Sequence, residues 1–508
     1  MWLSKRFKVA ALLTSWAANA LCSSSDVGFL SPHKNTTCYP KLNVEELAAR
    51  LSPHAEIYEP GSDGFIEGTL RWSAYHAPTV SLVVVPRNEE DVAETIKFAN
   101  EFKSPFFAVN TGHGTITSQR KMRRGIEIWL DELRTVDISE DGKTAVVGGG
   151  ALTKTVAETL FAAGKQAVTG FCECVGLLGA SLGGGLSILQ GKHGLAIDQF
   201  VSLRTVLADG SITTIDEDSE LFWAMKGAGH NFGIVVSATY KIHDVEHQNW
   251  AFTAFTYAGE AVEDIFQALN DNFRADQQPA DVVIAVAFEL LPQVDPENPV
   301  IIVLVIQEGK DALDPVFAEV FTNLNPLATQ TEIMPFDKLP IVLYANLEAG
   351  PCQRVGLNYF RHPQSIKEYN VASQRELYEL FTDTIRAVPA LNGSQILIDH
   401  FPTQGVQAIA SESAAYPHRD KNIYFAPTIA YMPDGPELDK EAMKFSSRIR
   451  EIVHKGTGED KRSAYVNYAF GDESLPELFG EPWRIERLRE LKEKYDPYGR
   501  FNFYAPIE

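Results

Sequence analysis

From Val80 to about His243 the chain alternates strand-like and helix-like segments punctuated by glycine, and after about residue 247 that rhythm stops. "SLVVVP" reads as a buried strand, "EEDVAETIKFANEF" as an amphipathic helix and "FFAVN" as another strand. "GIEIWL", "TAVVGGG" and "TVAETLFAAG" continue the pattern, and "FVSLRTVLADGSITTI" reads as a hairpin turning at Asp209-Gly210. Beyond the break come long strands, "PVIIVLVI" and "NIYFAPTIAYM", with helices such as "SQRELYELFTDTIRAV" between them. That is the pattern of an antiparallel sheet backed by helices. The fold class is therefore α+β, and a chain of 508 residues is long enough for two or more domains. The expected divisions are a leading segment 21–73, an alternating domain 74–247, a sheet-and-helix domain 248–460 and an aromatic-rich closing segment 461–508.

The first residues read as an export signal. Lys5, Arg6 and Lys8 precede a short apolar run, and Ala18 and Ala20 give a small-x-small cleavage pattern, so residues 1–20 are expected to be removed. Cleavage after Cys22 is the alternative. No later run reaches the roughly 18 apolar residues that a membrane span needs. Asn35 in "NTT" and Asn392 in "NGS" are acceptors for glycosylation after export. The net charge of -22 argues against nucleic acid, whose binding rests on clustered Lys and Arg. Five cysteines are few for a disulfide framework. Cys22, if retained, can pair with Cys38, while Cys352 has no evident partner. Cys172 and Cys174 sit too close for a bridge to each other, which leaves both for chemistry.

Two glycine-rich stretches carry the candidate site. "VNTGHGT" (109–115) places His113 between Gly112 and Gly114 just after the amphipathic helix and the strand that follows it. "GFCECVGLLGASLGGGLS" (170–187) sets two cysteines ahead of Gly176, Gly179 and Gly183, Gly184 and Gly185. Such glycines let a backbone approach a ligand and aim N–H groups at an anion, although packing against a neighbouring segment would explain them equally well. There is no strict G-x-G-x-x-G, no second metal ligand spaced around His113, and C-x-C is not the thioredoxin spacing. No metal site is expected.

Together with "RWSAYHAPTVSLVVVPRNEE" before them and "ELFWAMKGAGHNFGIVVSATYKI" after, these stretches resemble the FAD-linked oxidases with a PCMH-type (vanillyl-alcohol-oxidase-like) flavin domain. Within that group the chain is most similar to the berberine-bridge-enzyme-like oxidoreductases of fungal type. The likeness covers about residues 70–245 and returns in "YVNYAFG" and "KYDPYGRFNFYAPI".

The resemblance implies a flavin domain of two α/β subdomains, a substrate domain inserted into it, and a C-terminal segment that returns to it. It implies FAD, with its pyrophosphate on Asn110, Thr111, Gly112 and Gly114 and contacts from Val175, Gly176, Gly179, Gly183–Gly185, Gly233, Ile234 and Val235. It implies a covalent bond from His113 to the flavin 8α-methyl carbon and a second from Cys172 to C6. Thr111 departs from the family's Gly-Gly-His. Val175 stands at the family's oxygen gate, where valine goes with O2 as acceptor and H2O2 as product. The strand position that carries a base in many plant members matches Pro427, so the implied base shifts to Tyr465 or Tyr468 with Asp399 assisting. His400 and His418 are the alternatives, and Trp483 and Arg484 are expected to fill space near the flavin. The activity implied is oxidation of a small organic substrate, an alcohol, amine or ring-closing intermediate of secondary metabolism. An oligosaccharide oxidase and a flavin-binding protein without turnover are the competing readings.

Overall fold

In the computed structural model residues 42–508 are described. The expected leader 1–20 and Cys22, Asn35 and Cys38 lie outside them. The alternating region folds as two sheets. The first has the order Glu56–Tyr58, Val80–Val85, Gly125–Trp129, Phe106–Val109, with the last three parallel. The helix Glu89–Glu101 is capped by Asn88, whose side chain accepts from the Asp91 N–H, and it buries Val92, Ile96, Phe98 and Ala99. The second sheet is antiparallel, in the order Val136–Ile138, Thr144–Gly148, Ile234–Lys241, Phe200–Val206, Ile212–Ile215. The expected hairpin is present, with Gly210 at φ 82° in its turn.

From Asn249 the chain builds an eight-stranded antiparallel sheet. Its order is Ala328–Pro335, Asn249–Tyr257, Val300–Glu308, Val282–Glu289, Gln395–His400, Ile423–Tyr431, then Asn358–Phe360, with Gln364–Ile366 also on Ile423–Tyr431. Strand alternation sends Ile396, Ile398, Ile423 and Phe425 into one core with the helices Val262–Asn272, Val371–Ala387 and Pro436–Thr457. Asp399 and Tyr424, paired in register, point to the other face.

One interruption in this sheet matters below. Phe360 pairs with Ile429 and Gln364 with Phe425, but no ladder pairing joins 361–363 to 426–428. Continued across the gap, the register sets Pro427 opposite His362 and Pro363 opposite Ala426, and neither proline has an N–H to give. Pro427 sits where the pairing to the 358–366 segment is interrupted. Next to it, His362 turns to the helices and meets Ser446 Oγ at 2.8 Å.

The closing segment does return to the first region. Asn231 Nδ2 donates to Ala505 O (3.1 Å), the Ile507 N–H donates to Asn231 Oδ1 (3.1 Å), and Lys492 Nζ donates to Asn231 O (2.9 Å). Residues 43–508 form one compact unit. Among the described residues no helix is long and apolar enough to cross a membrane.

Candidate active site

The loop 110–114 leaves the end of the Phe106–Val109 strand and is fixed by backbone geometry. Asn110 Nδ2 donates to Gly149 O (3.1 Å), and Trp129 Nε1 donates to Asn110 O (2.9 Å). Gly112 has φ 65°, its carbonyl accepts from the Trp72 N–H, and a Cβ there would lie 2.9 Å from Leu70 O. Trp72 then stacks on the His113 ring at 4.7 Å. Arg71, paired with the buried Glu127, secures the Trp72 segment from below. Among the described residues no hydrogen bond occupies the ring nitrogens of His113. Burial, with Arg361 and Arg354 nearby, pushes its pKa down to about 3, so the imidazole is neutral with a free lone pair at ordinary pH.

The second glycine loop meets the first. A Cβ on Gly176 would overlap Asn110 Nδ2, so glycine is what lets the loops touch. Cys172 is a free, half-buried thiol whose pKa burial pushes up to about 11. Cys174 is not available for chemistry. It is disulfide-bonded to Cys352, and Cys172 Sγ lies 3.6 Å from each of their sulfurs. Cys352 therefore does have a partner, 178 residues away in sequence, a pairing that spacing alone could not suggest. Glu173 braces the same junction. Its N–H donates to Ala345 O, its carboxylate accepts from the Leu347 N–H, and Lys154 lies 3.1 Å from it. Val175, half-buried, accepts from the Thr153 N–H.

The glycines further along differ among themselves. Gly179 is exposed, and a side chain there would meet nothing within 4 Å. Gly183 abuts Asn467, Gly184 (φ 134°) abuts Tyr416 and Tyr465, and Gly185 gives its N–H to Tyr465. Close approach at 183–185 is thus to the chain's own side chains, Asn467 and Tyr465 of the closing segment, Tyr416 and Ala196. Gly233 clears Thr205, and Ile234 and Val235 are buried in the second sheet.

The sheet side brings two ionisable groups into contact. Tyr468 donates to Asp399 Oδ2 at 2.9 Å. Asp399 is 2% exposed, and burial raises its pKa to about 6 against the opposing pull of Tyr468 and Arg361. Tyr465 stands 5.0 Å from Tyr468, ring to ring, and does something else. Its oxygen accepts from the Gly185 N–H (2.9 Å), the Leu186 N–H (3.4 Å) and Asn467 Nδ2 (2.6 Å). Burial outweighs those donors and puts its pKa at about 12.

The two histidine alternatives are structural. His400 meets Tyr369 and Asn422 through its two nitrogens, His418 meets Glu477 O, and burial lowers both to about 4. Arg484 donates to Ser411 and Trp483 is 39% exposed, so neither fills the space expected of it. Tyr504 lies against Gly114 instead. Sequence reasoning also missed Arg361, whose guanidinium carbon is 4.6 Å from the Trp72 ring centre and 5.2 Å from that of Tyr468.

The residues present fit a flavin. His113 and Cys172 offer a free nitrogen and a free sulfur, and Asn110 Oδ1 and Thr115 Oγ1 are buried beside the first loop without partners.

Comparison with known proteins agrees. Residues 80–216 match the FAD binding domain family and residues 464–508 the berberine and berberine-like family. The chain is 44% identical over 504 residues to the FAD-linked oxidoreductase chyH of Penicillium rubens, covering 99% of this chain and all of that one. In fold it is similar to the BBE-like 1 protein of Physcomitrella patens (TM-score 0.78, 19% identity, 91% of this chain and 99% of that one). It is also similar to the glucooligosaccharide oxidase of Acremonium strictum, described as carrying a 6-S-cysteinyl, 8α-N1-histidyl FAD (TM-score 0.76, 19% identity, 91% and 98%).

Proposed function

The chain belongs to the berberine-bridge-like FAD-linked oxidoreductases, and from that premise we propose that it is an oxidase of small organic molecules. The substrate is an alcohol, an amine or a ring-closing intermediate of secondary metabolism, and its electrons go to O2 to give H2O2. Bound in this cleft, FAD supplies the hydride acceptor. His113 and Cys172 are the proposed tethers, with Asn110, Thr111, Gly112 and Gly114 along the pyrophosphate. Val175, small beside Cys172, is the proposed opening for O2. A tethered cofactor leaves the cleft free to admit bulky substrates.

The hydrogen bond from Tyr468 to Asp399 carries this reading. Tyr468 Oη takes the substrate hydroxyl proton while its own proton passes to Asp399, which is a carboxylate above about pH 6. Tyr468 alone would be a poor base, because burial holds its pKa well above the ordinary value. Tyr465, with three donors on its oxygen, positions the Gly185 turn and the Tyr468 ring. The dyad removes the reason for supposing a flavoprotein without turnover, which was the proline at position 427.

Export before folding is part of the proposal, with glycans at Asn35 and at Asn392, which is exposed in the 391–393 turn. The test is acid denaturation of wild type, His113→Ala, Cys172→Ala and the double variant, read by visible spectrum and intact mass. Yellow colour kept by each single variant and lost by the double one supports two tethers. Colour released by the wild type sinks both. A peroxide burst with oligosaccharides, and none with aromatic alcohols or alkaloids, would move the substrate to the carbohydrate class.

A further inference from the structure

Arg361 is the first residue of the gap that Pro363 and Pro427 open in the large sheet. Strand alternation sends its neighbour His362 to the helices and Arg361 to the cleft. There the guanidinium lies over two rings, that of Trp72, which itself stacks on His113, and that of Tyr468, which holds Asp399. It therefore stands between the proposed tether and the proposed base.

Its bonding sets it apart. Arg361 is half-buried, and even the more deeply buried arginines have oxygen partners: Arg71 has Glu127, Arg419 has Asp198, Arg450 has Asp472 and Arg484 has Ser411. Among the described residues Arg361 has none. No carboxylate lies within ion-pair distance of it, no carbonyl accepts from it, and its Nε is buried without a partner. Two aromatic faces hold the cation in place but leave all five N–H donors unspent. A half-buried cation whose Nε is shut from solvent and unpaired is costly to leave so, and an anion would complete it. The planar fork of a guanidinium matches the two oxygens of a carboxylate better than any neutral group.

We propose that Arg361 is the substrate's anion receptor, and that the substrate is an organic acid whose carboxylate, or equally anionic oxygen, docks on it. The docked group would sit beside the Tyr468 ring, placing the oxidised carbon a short distance away, next to the Tyr468 hydroxyl. This inference rests on the oxidase reading and narrows its substrate class. Selectivity follows from the same geometry, because a docked neutral analogue would cover the half-buried arginine without pairing its charge.

The test uses the flavin-loaded protein as wild type, Arg361→Met and Arg361→Lys. Benzoate and acetate, with benzamide and acetamide as neutral counterparts, are titrated by calorimetry and by the flavin difference spectrum. Each acid should bind the wild type about tenfold or more tighter than its amide, and Arg361→Met should erase that preference. Arg361→Lys should restore part of it, and the flavin midpoint potential should match in all three. Equal binding of acid and amide by the wild type, or no binding of either, overturns the proposal. So does an Arg361→Met variant that binds benzoate as the wild type does but has an altered midpoint potential and sulfite affinity, since the arginine would then serve the flavin. A wild type isolated without flavin would count against the oxidase reading instead, and calorimetry would still score the arginine.

Discussion

The two walls of the cleft are built by different means. On the tether side, loops 110–114 and 172–176 owe their shape to glycine, backbone bonds and one disulfide, and few side chains do chemistry. On the sheet side, Asp399, Tyr468 and Arg361 are chemical groups held by strands and aromatic faces. A wall made of backbone fails by losing shape. A wall made of side chains can lose function and keep its shape.

That contrast can be broken from the sheet side first. Asp399→Asn or Tyr468→Phe should lower kcat by about 10²–10⁴-fold, with flavin content unchanged. Stopped-flow flavin reduction reads the loss directly. In the wild type the relay needs Asp399 as carboxylate. Turnover should therefore fall as pH drops through about 6, and that limb should vanish in Asp399→Asn. From the tether side, Cys174→Ser with Cys352→Ser should cost stability by about 2–5 kcal/mol, seen as a lower Tm. Gly112→Ala combines a positive φ with contact against Leu70 O, and should cost about 1–3 kcal/mol and release flavin. The smallest effect sharpens the comparison most. Tyr465→Phe leaves its donors without an acceptor, so it should lose about 1–2 kcal/mol of stability while the pH limb of turnover stays. A Tyr465→Phe variant that loses the limb would make Tyr465, not Tyr468, the base.

Legibility in the sequence follows the same division. Glycine and histidine in a short loop announce backbone geometry locally, and the amphipathic periods of 89–101 and 371–387 announced their helices. Tyr468 and Asp399 were reachable through motif likeness, but their hydrogen bond depends on the closing segment's Val466–Tyr468 turn docking against the Gln395–His400 strand, which no local pattern encodes. Arg361 was missed for the same reason. In sequence it is one charged residue before His362 and Pro363, and only the interrupted pairing of 358–366 with Ile423–Tyr431 gives it the cleft. The Cys174–Cys352 bridge spans 178 residues, so neither cysteine signalled its partner.

That bridge also has a mechanical consequence. Cys174 belongs to the tether wall, while Cys352 lies in the segment between the Ala328–Pro335 and Asn358–Phe360 strands, at the margin of the sheet wall. Residues 174–352 are thereby closed into one covalent ring that runs through both. Any motion that parts the two walls must leave them joined at that point and pivot about it.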